Sequence, residues 1–492
     1  MGRKKAQASC KGKQHGPSAQ QKQASSAARI LSRGARNELD VLCEKLFHLT
    51  SNPAYMTQLW NNYLDISEVL LKVKRLEEMK TESSQRSQVI GQFTNWLTEN
   101  GARMDGVSIA EYPGYDLGLK AEADFAENQL ILEIPRALIF STYTAAPELT
   151  ALQNDPLVQH MPQVALAIAL LVERYKKNST WKPYLDMLPN SYNTVLYMKA
   201  NDMIELKGSP TLEPALKQCR NIARQYAYFS KIFQNNNEPV SAMLKDIFTY
   251  ERYCWAVSTV MTRQNLVPSP DGSRMIHALI PMWDMCNHEN GRITTDFNST
   301  SDHCECYALR DFKKGEQIFI SYGPRTNSDF FVHSGFVQMD NDQDGFKLRL
   351  GISKADSLQK ERIELLGKLD LPSVGEFLLK PGTEPISDTL LAFLRVFSMR
   401  KTELAHWLRS DKVFDLKHMD CALETVVEEN VRKFLLARLQ LLIANYPTTL
   451  KEDLELLETT LPQVKKMTVQ LRVTEKRILL GALEYVEQWI KA

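Results

Sequence analysis

Short apolar runs punctuated by glycine and proline, the mark of strands joined by tight turns, fall into two groups of this sequence with a long helical stretch between them. The first group lies between Val107 and Phe140 and includes 129–135 and 137–140; the second comprises 276–280, 305–309 and 317–321. From about 141 to 261 apolar residues recur every three or four positions, at 164–175, 216–233 and 249–261, which is the stripe of an amphipathic helix. Short strands leave unpaired backbone groups and need partners, so the two groups are expected to complete one another across the helices. The expected centre of the chain is a β-rich domain over 102–323, split by a helical insertion at about 141–261.

The flanks are expected to be helical. Over 34–101 the residues Leu39, Leu42 and Leu46, and later Phe93, Trp96 and Leu97, fall on apolar faces, and Glu99-Asn100-Gly101 is a stop signal. After a connection at 324–346 and an apolar run at 347–350, the chain reads as helical to its end, with faces at 390–397, 431–443 and 478–490. An all-α domain over 347–492 is the expectation, and the fold class is α+β. A length of 492 residues is more than one hydrophobic core serves, which agrees with that division. Residues 1–33 contain no acidic residue and no apolar periodicity and read as a disordered basic tail.

Charge and composition exclude some functions. Lys and Arg number 60 against 59 Asp and Glu, so no global field favours nucleic acid or an anionic membrane, and no nucleic-acid partner is expected. No apolar run approaches the roughly 18 residues of a membrane span. The 8 cysteines are scattered without the spacing of a disulfide framework, which suits a reducing compartment. The expected location is cytoplasmic, with nuclear entry left open by Arg3-Lys4-Lys5.

The chemistry concentrates in two strings. Trp283-Asp284-Met285-Cys286-Asn287-His288 follows an apolar strand, and Phe319-Ile320-Ser321-Tyr322-Gly323 ends another. In order and spacing the pair resembles the diagnostic motifs of the SET-domain methyltransferases. The resemblance implies a threaded, knot-like site in which the Asn-His pair holds an adenine and the tyrosine hydroxyl faces a reacting methyl. The Gly-x-Gly that the family carries near the domain start corresponds here to Asp116-Leu117-Gly118, with aspartate in the first position; aspartate tolerates a left-handed backbone better than most residues. Farther on, Ala444-Asn445-Tyr446-Pro447-Thr448-Thr449-Leu450 resembles the C-terminal domain of the Rubisco large-subunit methyltransferase group. Ala223–Phe229, Met261–Asn265, Leu279-Ile280-Pro281, Tyr322–Asn327 and His333–Phe336 resemble the branch of that group that methylates a histidine of actin.

The resemblance implies S-adenosylmethionine as cofactor, no metal, and actin as protein substrate. Cofactor contacts are then expected from Arg86, Tyr115, Asp116, Leu117, Arg263, Asp284, Met285, Cys286, Asn287, His288, Tyr322, Ser334, Gly335 and Phe336, the arginines suiting a carboxylate. Substrate contacts are expected from Arg224, Asn265, Trp283 and Arg325, with Gln163 standing where the family has an asparagine. Tyr322 and Asn265 are the expected catalytic residues: Asn265 would hold the non-reacting nitrogen of an imidazole and Trp283 would wall the ring.

Two other readings remain open on the residues. A lysine methyltransferase of the same group would use the same cofactor but must deprotonate an ammonium. A binding module without turnover would find its best support in Asp116. His303-Cys304-Glu305-Cys306 reads as strand residues, because a tetrahedral zinc needs four convergent ligands and no second close pair completes the set. Trp255 and the aromatic residues at 226–229 read as core, and nothing marks Cys286 as a reactive thiol.

Overall fold

The computed structural model describes residues 31–51, 58–78, 85–145, 147, 149, 155–235, 238–421 and 423–489. The expected basic tail lies outside them up to residue 30. Three helices open the described chain, α1 (Arg33–Ser51), α2 (Leu59–Leu76) and α3 (Arg86–Glu99), and each buries the stripe that its sequence carries, such as Leu39, Cys43 and Leu46 on α1.

Both groups of strands join, as their need for partners requires. Strands β1 (Val107–Tyr112) and β2 (Asp116–Ala121) form a hairpin. Two strands from the far side of the insertion extend its sheet in the order β1-β2-β10-β7, where β7 is Asn287–His288 and β10 is Gln317–Ile320. A second sheet has the order β3-β9-β8 (Leu130–Pro135, His303–Tyr307, Thr295–Asn298), and a third β4-β6-β5 (Phe140–Ser141, Met275–Leu279, Asn265–Pro268). Each of the three therefore contains strands from both sides of the inserted helices. The run expected as a strand at 137–140 is extended only at its end. Arg136–Leu138 forms a helical turn, closed by the Ile139 amide donating to the Arg136 carbonyl at 3.0 Å.

The inserted helices include α4 (Pro162–Tyr175), α5 (Leu212–Asn235) and α6 (Tyr250–Arg263). Proline opens α4, where its missing N–H costs nothing, and every residue from Val164 to Glu173 is buried, so α4 is a core helix. Thr249 caps α6 by accepting from the Arg252 amide. Trp255, Tyr226 and Phe229 are buried, as read from the sequence. One hydrophobic core runs from Leu39 to Val332 and takes in Met467 and Leu471 of the final helix.

A second core, from Phe346 to Val486, belongs to the C-terminal domain. Its helices include α7 (Asp388–Ser398), α8 (Thr425–Ala444), α9 (Leu450–Leu457) and α10 (Gln463–Gln488). The expectation of helix from 351 onward is corrected at one place. Strand β12 (Val374–Leu379) pairs antiparallel with β11 (Phe346–Gly351). Pro372 before it and Pro381-Gly382 after it bracket a run whose burial alternates, which is strand rather than helix punctuation. Helix α10 extends N-terminally beyond the apolar face at 478–490, and its first half buries Arg472, Glu475 and Lys476. No helix among the described residues is long and apolar enough to cross a membrane.

Candidate active site

Parallel pairing of β7 with β10, Asn287 opposite Phe319 and His288 opposite Ile320, brings the two motif strings together. Tyr322 follows directly: its amide donates to His288 Nδ1 at 3.2 Å, and the two rings stack with centroids 5.1 Å apart. Phe330 and Phe336 close round the same imidazole at 4.8 and 5.9 Å. Burial holds the His288 pKa below its ordinary value, so the ring is neutral, and with Nδ1 accepting, its proton sits on Nε2.

On the side of β2, Asp116 adopts φ +63°, the left-handed conformation that a glycine would take freely. The turn expected there survives the substitution. A Cβ added at Gly118 would lie 2.5 Å from Gln317 Nε2 and 3.0 Å from Asn287 Nδ2, so a side chain here would displace the Gln317 and Asn287 amides. Asn287 Nδ2 donates to the Leu117 carbonyl at 3.2 Å, and the Tyr115 ring meets Phe319 edge-on. Arg86, the first residue of α3, reaches in from the helical lead. Its guanidinium donates to Asp116 Oδ2 at 2.5 Å and to the Met187 carbonyl at 2.7 Å, and lies 3.8 Å from Met285 Sδ.

Arg263, at the end of α6, donates to the Asp284 carbonyl and lies 3.6 Å from Asp284 Oδ2, which also accepts the Tyr184 hydroxyl at 2.6 Å. Burial raises the Asp284 pKa against the pull of Arg263 and Tyr184. Arg86 is held below its ordinary pKa by burial and then by Arg263, so the two guanidinia feel one another. Among the buried polar atoms that have no hydrogen-bond partner within the described residues, Arg263 Nε, Asp284 Oδ1, Gln317 Nε2 and Ser334 Oγ belong to this group. Orphaned donors and acceptors beside two cations that repel are the surroundings an amino acid head group with a carboxylate and an ammonium would complete. Gly335, at φ +75°, packs its Cα against the backbone of Asn193 and Thr194, which fixes Ser334 and Phe336 on this side. The residues present fit a cofactor of that kind.

A cavity of about 180 Å³ lies next to this group, lined by Arg263, Asn265, Trp283, Tyr322, Arg325 and others. The sequence strings that carry them are far apart, yet the expected catalytic and substrate residues other than Arg224 meet here. Trp283 is aimed by an unusual bend: the preceding Met282, fully buried, has φ +70° and ψ −50°, a strained conformation retained because the turn around it is hydrogen-bonded on both sides. The Tyr322 hydroxyl donates to the Cys286 carbonyl at 2.7 Å, and burial pushes the phenol above its ordinary pKa. Asn265 Nδ2 donates to the Arg263 carbonyl at 3.1 Å, which leaves its Oδ1 as the group available to a ligand.

Through Met261, Gln264 and Arg325 this cavity adjoins a larger one of about 510 Å³. Gln163, Gln218, Asn221 and Gln225 line it, with Asp329 and His333 at one side. Arg224 stands apart from them: it is exposed, lies 5.5 Å over the Phe47 ring of α1, and does not line either cavity. On α5 the residues 218, 221, 222 and 225 form one stripe, so helical phase presents Gln225, and not its neighbour, to the cavity. Gln225 and Gln264 lay within strings singled out in the sequence. Tyr184 and Met187, which support Asp284 and Arg86, lay in none, and only the fold brings them in.

Comparison with known proteins gives a SET domain at residues 116–323 and a Rubisco LSMT substrate-binding domain at 353–479. An actin-histidine N-methyltransferase of Gallus gallus is 40% identical over 434 residues, covering 86% of this chain and 73% of its own length. The protein of that name from Xenopus tropicalis is 38% identical over 476 residues, 94% of this chain and 81% of its own. Among solved structures, the SET domain of LSMT bound to lysine and AdoHcy superimposes with a TM-score of 0.68 at 23% identity, over 82% of this chain and 91% of that one. Rubisco LSMT bound to AdoMet superimposes with a TM-score of 0.65, also at 23% identity, over 81% of this chain and 92% of that one.

Proposed function

This chain belongs to the family of the actin-histidine N-methyltransferases, and on that premise we propose that it transfers a methyl group from S-adenosylmethionine to an imidazole nitrogen of a histidine in actin. The observation that carries the assignment is the meeting of Asn265, Trp283, Tyr322 and Arg263 at one small cavity beside the Arg86, Asp116 and Asn287–His288 group.

S-adenosylmethionine, when bound, supplies a methyl already activated by its sulfonium. Arg86 and Arg263 would hold its carboxylate, Asp284 and Ser334 its remaining polar groups, and Asn287 and His288 its adenine. The rest of the work falls to groups of this chain. A histidine near neutral pH is largely uncharged and has one ring nitrogen with a free lone pair, so no general base is needed. Tyr322 could not serve as one, since burial keeps it protonated and its hydroxyl donates to the Cys286 carbonyl. Asn265 Oδ1 accepts the N–H of the nitrogen that does not react, which selects the tautomer whose other nitrogen faces the methyl. Trp283 and Tyr322 fix the ring plane, and the buried walls exclude water that would hydrogen-bond the lone pair. As the methyl's bond to sulfur breaks and its bond to the ring nitrogen forms, the positive charge passes to the ring, and the N–H held by Asn265 is the proton then released to solvent.

An amide acceptor beside a flat wall suits a planar ring with one N–H better than an alkylammonium, which needs acceptors on several sides and a base. Replacing Asn265 by alanine tests this. With purified actin as substrate, kcat/KM is expected to fall by about 100-fold, the cost of letting a reacting ring tumble, while methylation at the wild-type rate would refute the role given to Asn265.

A further inference from the structure

The C-terminal domain touches the helical insertion through a turn that is built for contact. Gly208, at φ +92°, has no room for a Cβ, which would lie 2.7 Å from the Asn445 carbonyl oxygen and 2.9 Å from the Tyr446 Cα. Just beyond it, Ser209 and Thr211 meet Glu475 of α10. The Ser209 hydroxyl donates to Glu475 Oε1 at 2.7 Å, and the Tyr446 hydroxyl donates to Oε2, also at 2.7 Å. Thr211 Oγ1 lies 3.0 Å from Glu475 Oε1 and 2.9 Å from Ser328 Oγ. With a single proton to give, Thr211 gives it to Glu475 Oε1, which already accepts from Ser209, and accepts from Ser328, whose hydroxyl can donate. All of these side chains are buried.

Ser328 belongs to the helical turn Asn327–Asp329, which Thr326 caps by accepting from the Asp329 amide. That turn joins the two functional walls. Arg325, before it, lines both cavities; Asp329 lines the larger; Phe330, after it, packs on His288 at 4.8 Å. From the carboxylate of the C-terminal domain to the wall of the cavity there are thus two hydroxyls and nothing softer.

We propose that Glu475, which lines neither cavity, is a positioning residue for substrate binding, holding the turn 326–329 through Thr211 and Ser328 so that Arg325 and Asp329 stand where the protein substrate meets them. The proposal rests on reading the larger cavity as the bed of that substrate. It assigns to the C-terminal domain an action on the site from behind, in addition to any contact it makes with the substrate itself.

Hydrogen–deuterium exchange of the full chain, comparing wild type with Glu475→Gln and Ser328→Ala, is the test, with kcat and KM for actin measured alongside. In both variants the amides of 326–331 are expected to exchange about tenfold faster, the cost of weakening one buried hydrogen bond, while α5 and α6 keep their protection. KM for actin is expected to rise about five- to tenfold with kcat within about twofold. Ser328→Ala leaves Glu475 and its bonds from Ser209 and Tyr446 in place, and so tests the Ser328 link apart from any effect of Glu475→Gln on stability. Wild-type exchange at 326–331 in Ser328→Ala would overturn the proposal, and so would loosening spread evenly over the C-terminal domain with kcat and KM impaired together. A wild-type enzyme that leaves actin unmethylated would refute the assigned function, and the exchange measurement would still decide this point.

Discussion

The reacting cavity and the interface between the two cores both bury charge, and they treat it in opposite ways. At the interface each buried polar atom is satisfied. Asp453 receives the Arg472 guanidinium on both oxygens, at 2.7 and 3.2 Å, and Lys476 at 2.6 Å; Arg472 is completed by Glu205 at 2.8 Å. Around the cavity, Arg263 Nε, Asp284 Oδ1, Ser334 Oγ, Gln317 Nε2 and Gln264 Oε1 are left without partners among the described residues. An unsatisfied buried group costs about 1 to 3 kcal/mol, so its presence in a native fold is explained by a ligand that completes it. Here the joint is closed upon itself, while the cavity wall keeps polar atoms that a ligand can complete.

The largest expected effect tests the joint. Asp453→Ala strands two buried cations and is expected to lower the unfolding free energy by about 3 to 5 kcal/mol. Denaturant titration measures it, and a loss under about 1 kcal/mol would mean that the interface is far wetter than described.

A smaller effect concerns Glu475, whose pKa burial raises to about 7, with Asp344 adding to the rise and the Ser209, Tyr446 and Thr211 hydroxyls opposing it. A carboxyl whose folded pKa lies above its unfolded one stabilises the fold fully at low pH, and that contribution is lost as pH climbs from about 4.5 through about 7. Relative to wild type, Glu475→Gln is therefore expected to gain stability over that window, by up to about 3 kcal/mol. Parallel stability curves for the two proteins would contradict the burial described here.

Smaller again, and on the other side of the comparison, Tyr322→Phe is expected to reduce kcat about 100-fold while moving stability by less than about 1 kcal/mol, because the ring still packs on His288 and only the hydroxyl is lost. Steady-state kinetics with a thermal melt checks both numbers. Equal damage to activity and stability would make Tyr322 part of the joint.

The same contrast governs what could be read from the sequence. Site residues come in strings, 261–265, 283–288 and 319–325, because a strand end or helix end presents several neighbouring side chains to one spot, and such strings keep their order when written out linearly. The split β domain was legible for a similar reason, since short runs between turn signals demand partners. That Gln225 and not Arg224 faces the cavity could not be read, because one residue on a helix is a rotation of 100°, and a string does not reveal its phase. The interface was not legible: Glu205 and Arg472 are 267 residues apart, and these two with Ser209, Thr211, Asp453, Glu475 and Lys476 look like ordinary surface residues until the fold brings them together. Only Tyr446-Pro447-Thr448-Thr449 hinted at it, and the structure shows why, with Tyr446 on Glu475, Thr448 on Asp453 and Thr449 capping α9. Strand β12 was missed between its two proline brackets because the surrounding helical periodicity was carried through it.

The most direct measurement is peptide mapping by mass spectrometry of purified actin after incubation with this protein and isotopically labelled S-adenosylmethionine, over a range of pH. The account predicts labelled methyl on a histidine, with a rate that climbs through the ordinary histidine pKa of about 6.5 and levels off above it. Label on a lysine, with a rate still climbing at alkaline pH, would contradict it.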